Sequence, residues 1–132
     1  MADMIPFDLV SPERLLLSAE AGMVTLPGAA GYFGVLPGHA PVISTLKPGV
    51  IEVTGGSASG ARYFVSAGFA EVTAERVTVL AEDAIAVNTV DAATLDRKIA
   101  DAEEDILQAK GDAARTKAVA ALETLKQLRA AL

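Results

Sequence analysis

His39 is the only side chain in this sequence that could act as an imidazole base near neutral pH. A single imidazole leaves no multi-histidine metal site in one chain, and the lack of cysteine removes thiolate ligands, thiol nucleophiles and disulfides. A Ser–His–acid triad could use Ser44 or Ser66, but neither serine lies in the Gly-x-Ser-x-Gly sequence that exposes a nucleophile. The sequence therefore favours a structural hydrogen bond for His39 over catalysis.

Two other patterns with possible chemistry also have simpler explanations. Gly55 and Gly60 are spaced like a phosphate-binding loop, but Ala61 and Arg62 follow where such a loop needs Lys and then Ser or Thr. The acidic residues at 101–105 follow the basic residues Arg97 and Lys98. Charges of both signs close together on a helix indicate a solvated face. We therefore expect no cofactor, no metal and no enzymatic activity.

Residues 5 to about 90 have the pattern of β-structure, in short runs rich in Val, Thr and aromatic residues between turn residues. In one run, RVTVLA from Arg76, the residues Val77, Val79 and Ala81 share one face of a strand, and Arg76, Thr78 and Leu80 share the other. Many short strands without an intervening helical pattern predict an antiparallel sandwich or a flattened barrel.

The apolar period changes at Asp91 to the spacing of a helix face. Lys110 fits a helix C-terminus, Gly111 the left-handed position after it, and Asp112 the N-cap of a second helix. Two helices joined this closely must run antiparallel. Nearly half of their predicted seam is alanine, so we expect the hairpin to pack only weakly on the sandwich. The seam residues are Leu95, Ile99, Ala102, Ile106, Ala109, Ala114, Ala118, Ala121, Leu125, Leu128 and Leu132.

Length and composition limit the remaining possibilities. The 132 residues fit one domain with an appendage, and we place the sandwich at residues 1–88 and the helical hairpin at 89–132. A net charge of −6 argues against nucleic acid as a partner. The sequence contains no apolar run long enough to span a membrane and does not begin with a signal peptide, so we expect no direct membrane insertion.

The stretch GVLPGHAPVISTLKPGV, residues 34–50, is unusually rigid for a loop. Pro37 and Pro41 fix the backbone angle φ on either side of His39, so this loop would lose little entropy on binding a partner. Just before it, three glycines are spaced GxxGxxG, which is not the dinucleotide fingerprint and predicts a tight loop with positive φ.

With these elements in order, the sequence resembles the ε subunit of the F-type rotary ATP synthase. The resemblance is carried by G-x-x-G-x-x-G-V-L-P-G-H-A-P from Gly28, then L-K-P-G-V-I-E-V, then YFVSAGFAEVTAERVTVLAEDAI. It extends from Phe7 to Arg129 and is strongest from Gly28 to Ile85. It implies an α+β fold, with an N-terminal antiparallel β-sandwich of about ten strands followed by a C-terminal antiparallel helical hairpin.

The resemblance also implies a function. It indicates a non-catalytic subunit of the central stalk, or rotor, which couples proton flow through the c ring to ATP synthesis and weakly restrains ATP hydrolysis. The implied partners are the γ subunit and the c-subunit ring, with the β subunit of the catalytic head as a further partner of the hairpin. The implied location is peripheral, on the cytoplasmic face of the bacterial inner membrane. The alternative function is a free-standing β-sandwich that binds a small ligand under a helical lid.

The resemblance assigns contact residues by position in this sequence. Tyr32 stands where relatives often carry an acidic residue, which favours an apolar stacking contact with the ring over a salt bridge. The alternative is that Tyr32 and Phe33 face the core. The implied c-ring contacts are Gly28, Gly31, Tyr32, Phe33 and Gly34. The implied γ contacts are Pro37, His39, Ala40, Pro41 and Val42.

The helical hairpin has two implied roles. Some relatives bind ATP there through a pattern like I/L-D-x-x-R-A; here Asp91 is present but Thr94 replaces the arginine. We therefore expect no ATP site and interpret Asp91 as a helix N-cap. On the second helix, Arg115, Lys126 and Arg129 share a narrow face with Leu122, about a quarter turn from the apolar seam. The resemblance assigns the three basic residues an inhibitory contact.

Overall fold

The computed structural model describes residues 3–132. Their contacts divide the chain into a β unit that ends at Ala86 and a helical unit, Val87–Leu132. This division falls slightly before the boundary between residues 88 and 89 that the sequence suggested.

The β unit consists of ten strands joined by short turns. Their bounds are β1 Ile5–Val10, β2 Leu15–Ala21, β3 Met23–Gly28, β4 Gly31–Val35, β5 Val42–Leu46, β6 Gly49–Thr54, β7 Arg62–Val65, β8 Gly68–Val72, β9 Val77–Ala81 and β10 Ala84–Ala86. Buried and exposed residues alternate along most of these strands, which is the pattern of a sheet with one face in a core. The predicted α+β fold class is confirmed.

The strands follow the order β10-β7-β6-β3-β5-β8-β9-β1-β2, with β4 paired to the remaining edge of β3. The pairs are antiparallel except β1 with β9, which is parallel. This one pair differs from the predicted all-antiparallel sandwich. Its strands are far apart in the sequence, so no hairpin turn constrains them to opposite directions.

The core lies on the inner faces of these strands. Val77, Val79 and Ala81 are all buried, as the alternation in their strand predicted. Phe7 and Leu9 on the neighbouring β1 are fully buried and pair with the same strand. Complete burial of a side chain of this size contributes about 1.5–3 kcal/mol, so this shared face contributes much of the stability of the β unit.

The helical unit contains a short 3-10 turn, Val87–Thr89, and two helices, α1 Ala92–Gln108 and α2 Asp112–Ala131. Asp91 is the N-cap of α1 and accepts a hydrogen bond from the Thr94 backbone N–H, as predicted. Two predictions at the turn were wrong. The helix α1 ends before Lys110, and the residue that caps α2 is Gly111, with φ of 91°, rather than Asp112. Because Gly111 takes up this backbone conformation, Asp112 enters the first turn of the helix, where its charge suits the helix dipole.

The two helices run antiparallel, since Asp96 near the start of α1 forms an ion pair with Arg129 near the end of α2. Leu95 and Ala102 on α1 are buried, as the predicted seam required. On α2 the prediction was only partly right: Leu128 is buried, but so is Leu122, whereas Ala121 is exposed. A leucine gains more free energy from burial than an alanine, so Leu122 determines which face of α2 is covered.

Candidate protein-interaction site

The predicted glycine-rich loop at 28–34 is largely a β-hairpin. β3 and β4 pair from Val24 with Val35 to Gly28 with Gly31, and Ala29-Ala30 form the turn. Of the three glycines in the pattern, Gly31 has positive φ, at 130°, and Gly28 and Gly34 do not. The prediction of positive φ was therefore wrong at two of the three positions.

Gly28 is required for the packing of a neighbouring side chain rather than for an unusual backbone angle. A Cβ atom at this position would lie 2.8 Å from Cε1 of Phe33, closer than real Cβ contacts come. The missing side chain is what allows the Phe33 ring to lie beside the end of β3. The glycine spacing thus reflects room for an aromatic ring, which a pattern based on turns does not reveal.

Tyr32 and Phe33 point to opposite faces of β4, as successive residues of a strand must. Phe33 is half-buried and packs against the hydrophobic core, whereas Tyr32 is 60% exposed. The alternative in which both rings face the core therefore holds for Phe33 but not for Tyr32.

The Tyr32 side chain is held across the sheet although most of it is exposed. Its hydroxyl accepts a hydrogen bond from the backbone N–H of Val50, at 2.9 Å. A Cβ atom at Gly49 would lie 2.5 Å from this hydroxyl and 2.7 Å from Cβ of Pro27, so glycine is needed beneath the side chain. Tyr32 is thus presented in one orientation, at low entropic cost to any partner that contacts it.

The connection from β4 to β5 begins with a tight turn at Pro37-Gly38. The backbone N–H of His39 donates to the carbonyl of Leu36, at 3.1 Å, and Gly38 has φ of 83°, which together define a type II turn. The Gly38 N–H also donates to the carbonyl of Ala74 in the β8–β9 turn, at 3.1 Å. This second bond ties the middle of the connection to the sandwich.

His39 has a structural hydrogen bond. Its Nδ1 lies 2.7 Å from the carbonyl oxygen of Ala40, so Nδ1 carries the proton and donates it. The hydroxyl of Ser44 donates to the carbonyl of Thr45, and that of Ser66 donates to the Asp83 carboxylate. The two serines considered for a triad are therefore engaged with other groups.

A concave surface of about 330 Å³ lies between β4 and β5, and we call it the β4–β5 notch. It combines residues that the sequence assigned to two different partners: Tyr32 and Phe33 to the ring, His39 and Val42 to γ. None of its lining side chains is charged. The sequence singled out Ser44 only as a candidate for a triad and did not single out Ala30; their place in the lining follows from strand pairing. The lining residues are Gly28, Ala30, Gly31, Tyr32, Phe33, His39, Val42 and Ser44.

The other predicted contact residues lie close to the notch in sequence but do not line it. Pro37, Ala40 and Pro41 belong to the connection between β4 and β5, and Gly34 lies further along β4. Ala40 and Pro41 are exposed, so they extend the accessible surface beyond the notch itself.

The three basic residues predicted on α2 are in different situations. Arg115 and Lys126 are exposed, and within residues 3–132 neither has an ion-pair partner. Arg129 is held by Asp96, with 2.8 Å between Nε and Oδ1. Leu122, which shares their predicted face, is buried. The face therefore presents two unpaired charges and one that is already neutralised within the hairpin.

The positions that match the ATP-binding pattern form a helix cap. The hydroxyl of Thr94 donates to Oδ2 of Asp91 at 2.7 Å, and its backbone N–H donates to the same oxygen at 3.2 Å. These two bonds, the hydroxyl first, lower the pKa of Asp91 below its usual 3.8, because they stabilise the carboxylate. Both residues are thus occupied in starting α1.

Within residues 3–132, no group of three His, Cys, Asp or Glu side chains is placed to hold a metal ion. None of the helices in this range is both long and apolar enough to cross a membrane. The positive features are a β-sandwich, a helical hairpin and an uncharged notch at a sheet edge. They define a class of protein that acts through contact surfaces.

Comparison with known proteins narrows this class to a family. The family model described as "ATP synthase, Delta/Epsilon chain, beta-sandwich domain" matches residues 4–87. The ATP synthase epsilon chain of Parvibaculum lavamentivorans is 51% identical over 129 residues, which cover 98% of each chain. That of Rhodospirillum centenum is 50% identical, covering 94% of this chain and 86% of the relative. The chain belongs to the ATP synthase epsilon chains, which are non-catalytic subunits of that complex.

Solved structures agree with this assignment. The fold matches a chain of the Euglena gracilis mitochondrial ATP synthase OSCP/F1/c-ring structure with a TM-score of 0.84 and 27% identity, covering 97% of this chain and 81% of the other. It matches a chain of the Tetrahymena thermophila mitochondrial ATP synthase central stalk/c-ring structure with a TM-score of 0.71; at 16% identity, this second match supports the fold alone. The chain is thus part of ATP synthase, a membrane-associated complex. Family membership favours a subunit over the alternative of a free-standing ligand-binding module.

Proposed function

We propose that this chain acts in the rotor of the ATP synthase, where it links the c-subunit ring to the γ subunit and so couples proton flow to ATP synthesis. The observation that carries the proposal is the β4–β5 notch, whose lining combines Tyr32 and Phe33, expected to contact the ring, with His39 and Val42, expected to contact γ. A surface shared by both sets would let one rigid body join the two partners.

The stiffness of this region supports a mechanical role. A rotor part must transmit torque without yielding, so its contact residues should be fixed before the partner arrives. Tyr32 is held by its hydrogen bond from Val50, and the Pro37-Gly38 turn is held by its bond to Ala74. Both restraints reduce the entropy lost on binding.

The γ contact is tested by mixing the purified chain with γ subunit and following co-elution in size exclusion. Co-elution supports the proposal, whereas a lone monomer peak in the presence of γ contradicts it. Replacing Pro41 by Ala relaxes the exposed connection and should weaken the complex through entropy without removing a large side chain.

The ring contact is tested by proton-coupled ATP synthesis in membrane vesicles. Tyr32→Ser should uncouple synthesis from proton flow, because the ring would lose an exposed aromatic contact. Phe33 is a poorer choice, because it packs against the core and its replacement would also destabilise the sandwich. Leu107→Ser, at an 84% exposed position on α1, is the matched control. Normal coupling with Tyr32→Ser would place the ring contact elsewhere.

We also propose that the hairpin weakly restrains ATP hydrolysis through Arg115, Lys126 and Arg129, at an acidic surface of the β subunit. Truncation after Val90 leaves all ten strands intact and should raise ATPase activity at low salt. The double change Arg115→Gln and Lys126→Gln should reproduce part of that rise. Lys117→Gln, about 200° around the helix from Arg115, should not. Activity that is unchanged by truncation would leave the hairpin with a structural role only.

Two further points belong to the same proposal. The chain should sit peripherally on the cytoplasmic face of the bacterial inner membrane, so protease should reach it in inside-out vesicles and not in right-side-out ones. It should have no tight ATP site, because the Thr94 hydroxyl is bonded to Asp91 and cannot supply the charge of an arginine. Micromolar binding of ATP in a calorimetric titration would contradict this second point.

A further inference from the structure

One edge of β5 is almost unoccupied. All five residues of this strand pair with β8 on one side. On the other side, within residues 3–132, the strand has a single bridge, Leu46 with Gly28, and the carbonyl of Thr45 accepts the N–H of Ala29. The edge next to the β4–β5 notch, from Val42 to Ser44, therefore has no strand beside it in this part of the chain.

The register indicates which backbone groups face this open edge. The N–H and C=O of one residue point to the same side of a strand, and the side alternates along the chain. Because the Thr45 carbonyl points away from β8 towards Ala29, the N–H and C=O of Ile43 point away from β8 as well. The backbone groups of Val42 and Ser44 face β8 instead.

The edge lacks the features that usually prevent strands from joining. Exposed edges are normally protected by charged side chains, proline or very short strands. Of the outer strands of this sheet, β2 carries Glu20 and β10 has only three residues. β5 has the sequence VISTL, and facing it across the notch β4 has GYFGV, with no charge and no proline in either. Ile43 is 71% exposed on the outer face.

The notch beside this edge could receive the side chains of an added strand. Val42, Ser44 and Phe33 line it from the two flanking strands, and its volume is about 330 Å³. Side chains alternate along a strand, so every second residue of an added segment would point into this uncharged space. The notch therefore selects apolar side chains at alternate positions and offers no charged partner.

We propose that γ binds by β-strand addition: an extended γ segment hydrogen-bonds to the free backbone groups of Ile43 and places alternate apolar side chains in the notch. This rests on the proposed function, in which γ contacts the connection that leads into β5. Main-chain hydrogen bonds supply affinity in this mode, and the pocket supplies specificity.

The test compares Ile43→Pro with Ile43→Ala in binding of the full chain to γ. Proline removes the free N–H of Ile43 but no bond to β8, whereas alanine removes the exposed side chain and keeps the N–H. We expect Ile43→Pro to weaken binding about fivefold, the usual effect of losing a main-chain hydrogen bond, and Ile43→Ala to change it much less. Equal losses in both variants would overturn strand addition. Failure of the unmodified chain to bind γ would instead overturn the proposed function.

Hydrogen exchange on the unmodified chain provides a measurement that does not depend on how the proline variant folds. On addition of γ, exchange of the Ile43 amide should slow by at least about tenfold, because a new hydrogen bond protects it. The amide of Ser44, which already faces β8, is the internal control and should change less. An Ile43 amide that exchanges equally fast in the complex would overturn the inference.

Discussion

Replacing Tyr32 by Phe should lower the free energy of unfolding of the β-sandwich by about 1 kcal/mol, although the side chain is mostly exposed. The change removes one hydroxyl, which accepts the Val50 N–H at 2.9 Å. The aromatic ring is kept, so little packing is lost with the oxygen.

The magnitude follows from the position of this hydrogen bond in the sheet. A single intramolecular hydrogen bond contributes a net 0.5–1.5 kcal/mol, or about 1 kcal/mol. Val50 is half-buried, so its N–H would be only partly rehydrated after the hydroxyl is removed.

The assay is urea unfolding of the full chain, followed by the circular dichroism of the β-sheet. With a urea dependence of about 1–3 kcal/mol per molar, the midpoint should fall by roughly 0.3–1 M. Tyr63→Phe is the matched control, because the Tyr63 hydroxyl has no hydrogen-bond partner within residues 3–132, and its midpoint should stay the same. A Tyr32→Phe variant as stable as the unmodified chain, or an equal loss of stability in both variants, would refute a stabilising role for this hydrogen bond.

Three further predictions concern the backbone and the hairpin. Gly56→Ala should destabilise the sandwich by about 2–4 kcal/mol, because its φ is 80° and a Cβ would collide with the carbonyl oxygen of Glu20. Gly60→Ala is the control: its φ is 92° but a Cβ would meet no neighbouring atom, so it should cost only about 1–2 kcal/mol in the same urea assay. Asp91→Ala should lower the helical circular dichroism and melting temperature near pH 7. Because folding lowers the pKa of Asp91, the stability that its carboxylate contributes is fully present above pH 3.8 and is lost as the pH falls through the folded pKa. The variant and the unmodified chain should therefore become equally stable in acid. A difference in stability that does not depend on pH would contradict this. Arg129→Gln should cost less than about 1 kcal/mol, because its ion pair is largely exposed, and the loss should shrink at high salt; a loss that salt leaves unchanged would show that packing, not charge, is responsible.

Local physical chemistry made several features predictable from the sequence. The alternation of Val77, Val79 and Ala81 predicted a half-buried strand, because side chains of a strand alternate between faces whatever the strand pairs with. Asp91 was predictable as an N-cap, because its carboxylate reaches the N–H of a residue only three positions later. These features depend on neighbours within a few residues, which the sequence displays directly.

Features that depend on distant segments were decided by the tertiary structure. The stretch 28–34 looked like a loop because it is rich in glycine, yet Gly28 is small to make room for Phe33. On α2, burial selected Leu122 over the Ala121 that the spacing favoured, because the larger side chain gains more from being covered.

The sequence alone determined that Pro37 and Pro41 would stiffen the connection around His39, since proline restricts the backbone locally. It did not determine that the segments on either side of this connection, β4 and β5, would leave an uncharged notch and an open edge between them. β4 is positioned by pairing with β3, and β5 by pairing with β8. The edge between them is free because neither strand pairs with the other. The pairings that they do form are stabilised by a core to which the whole β unit contributes.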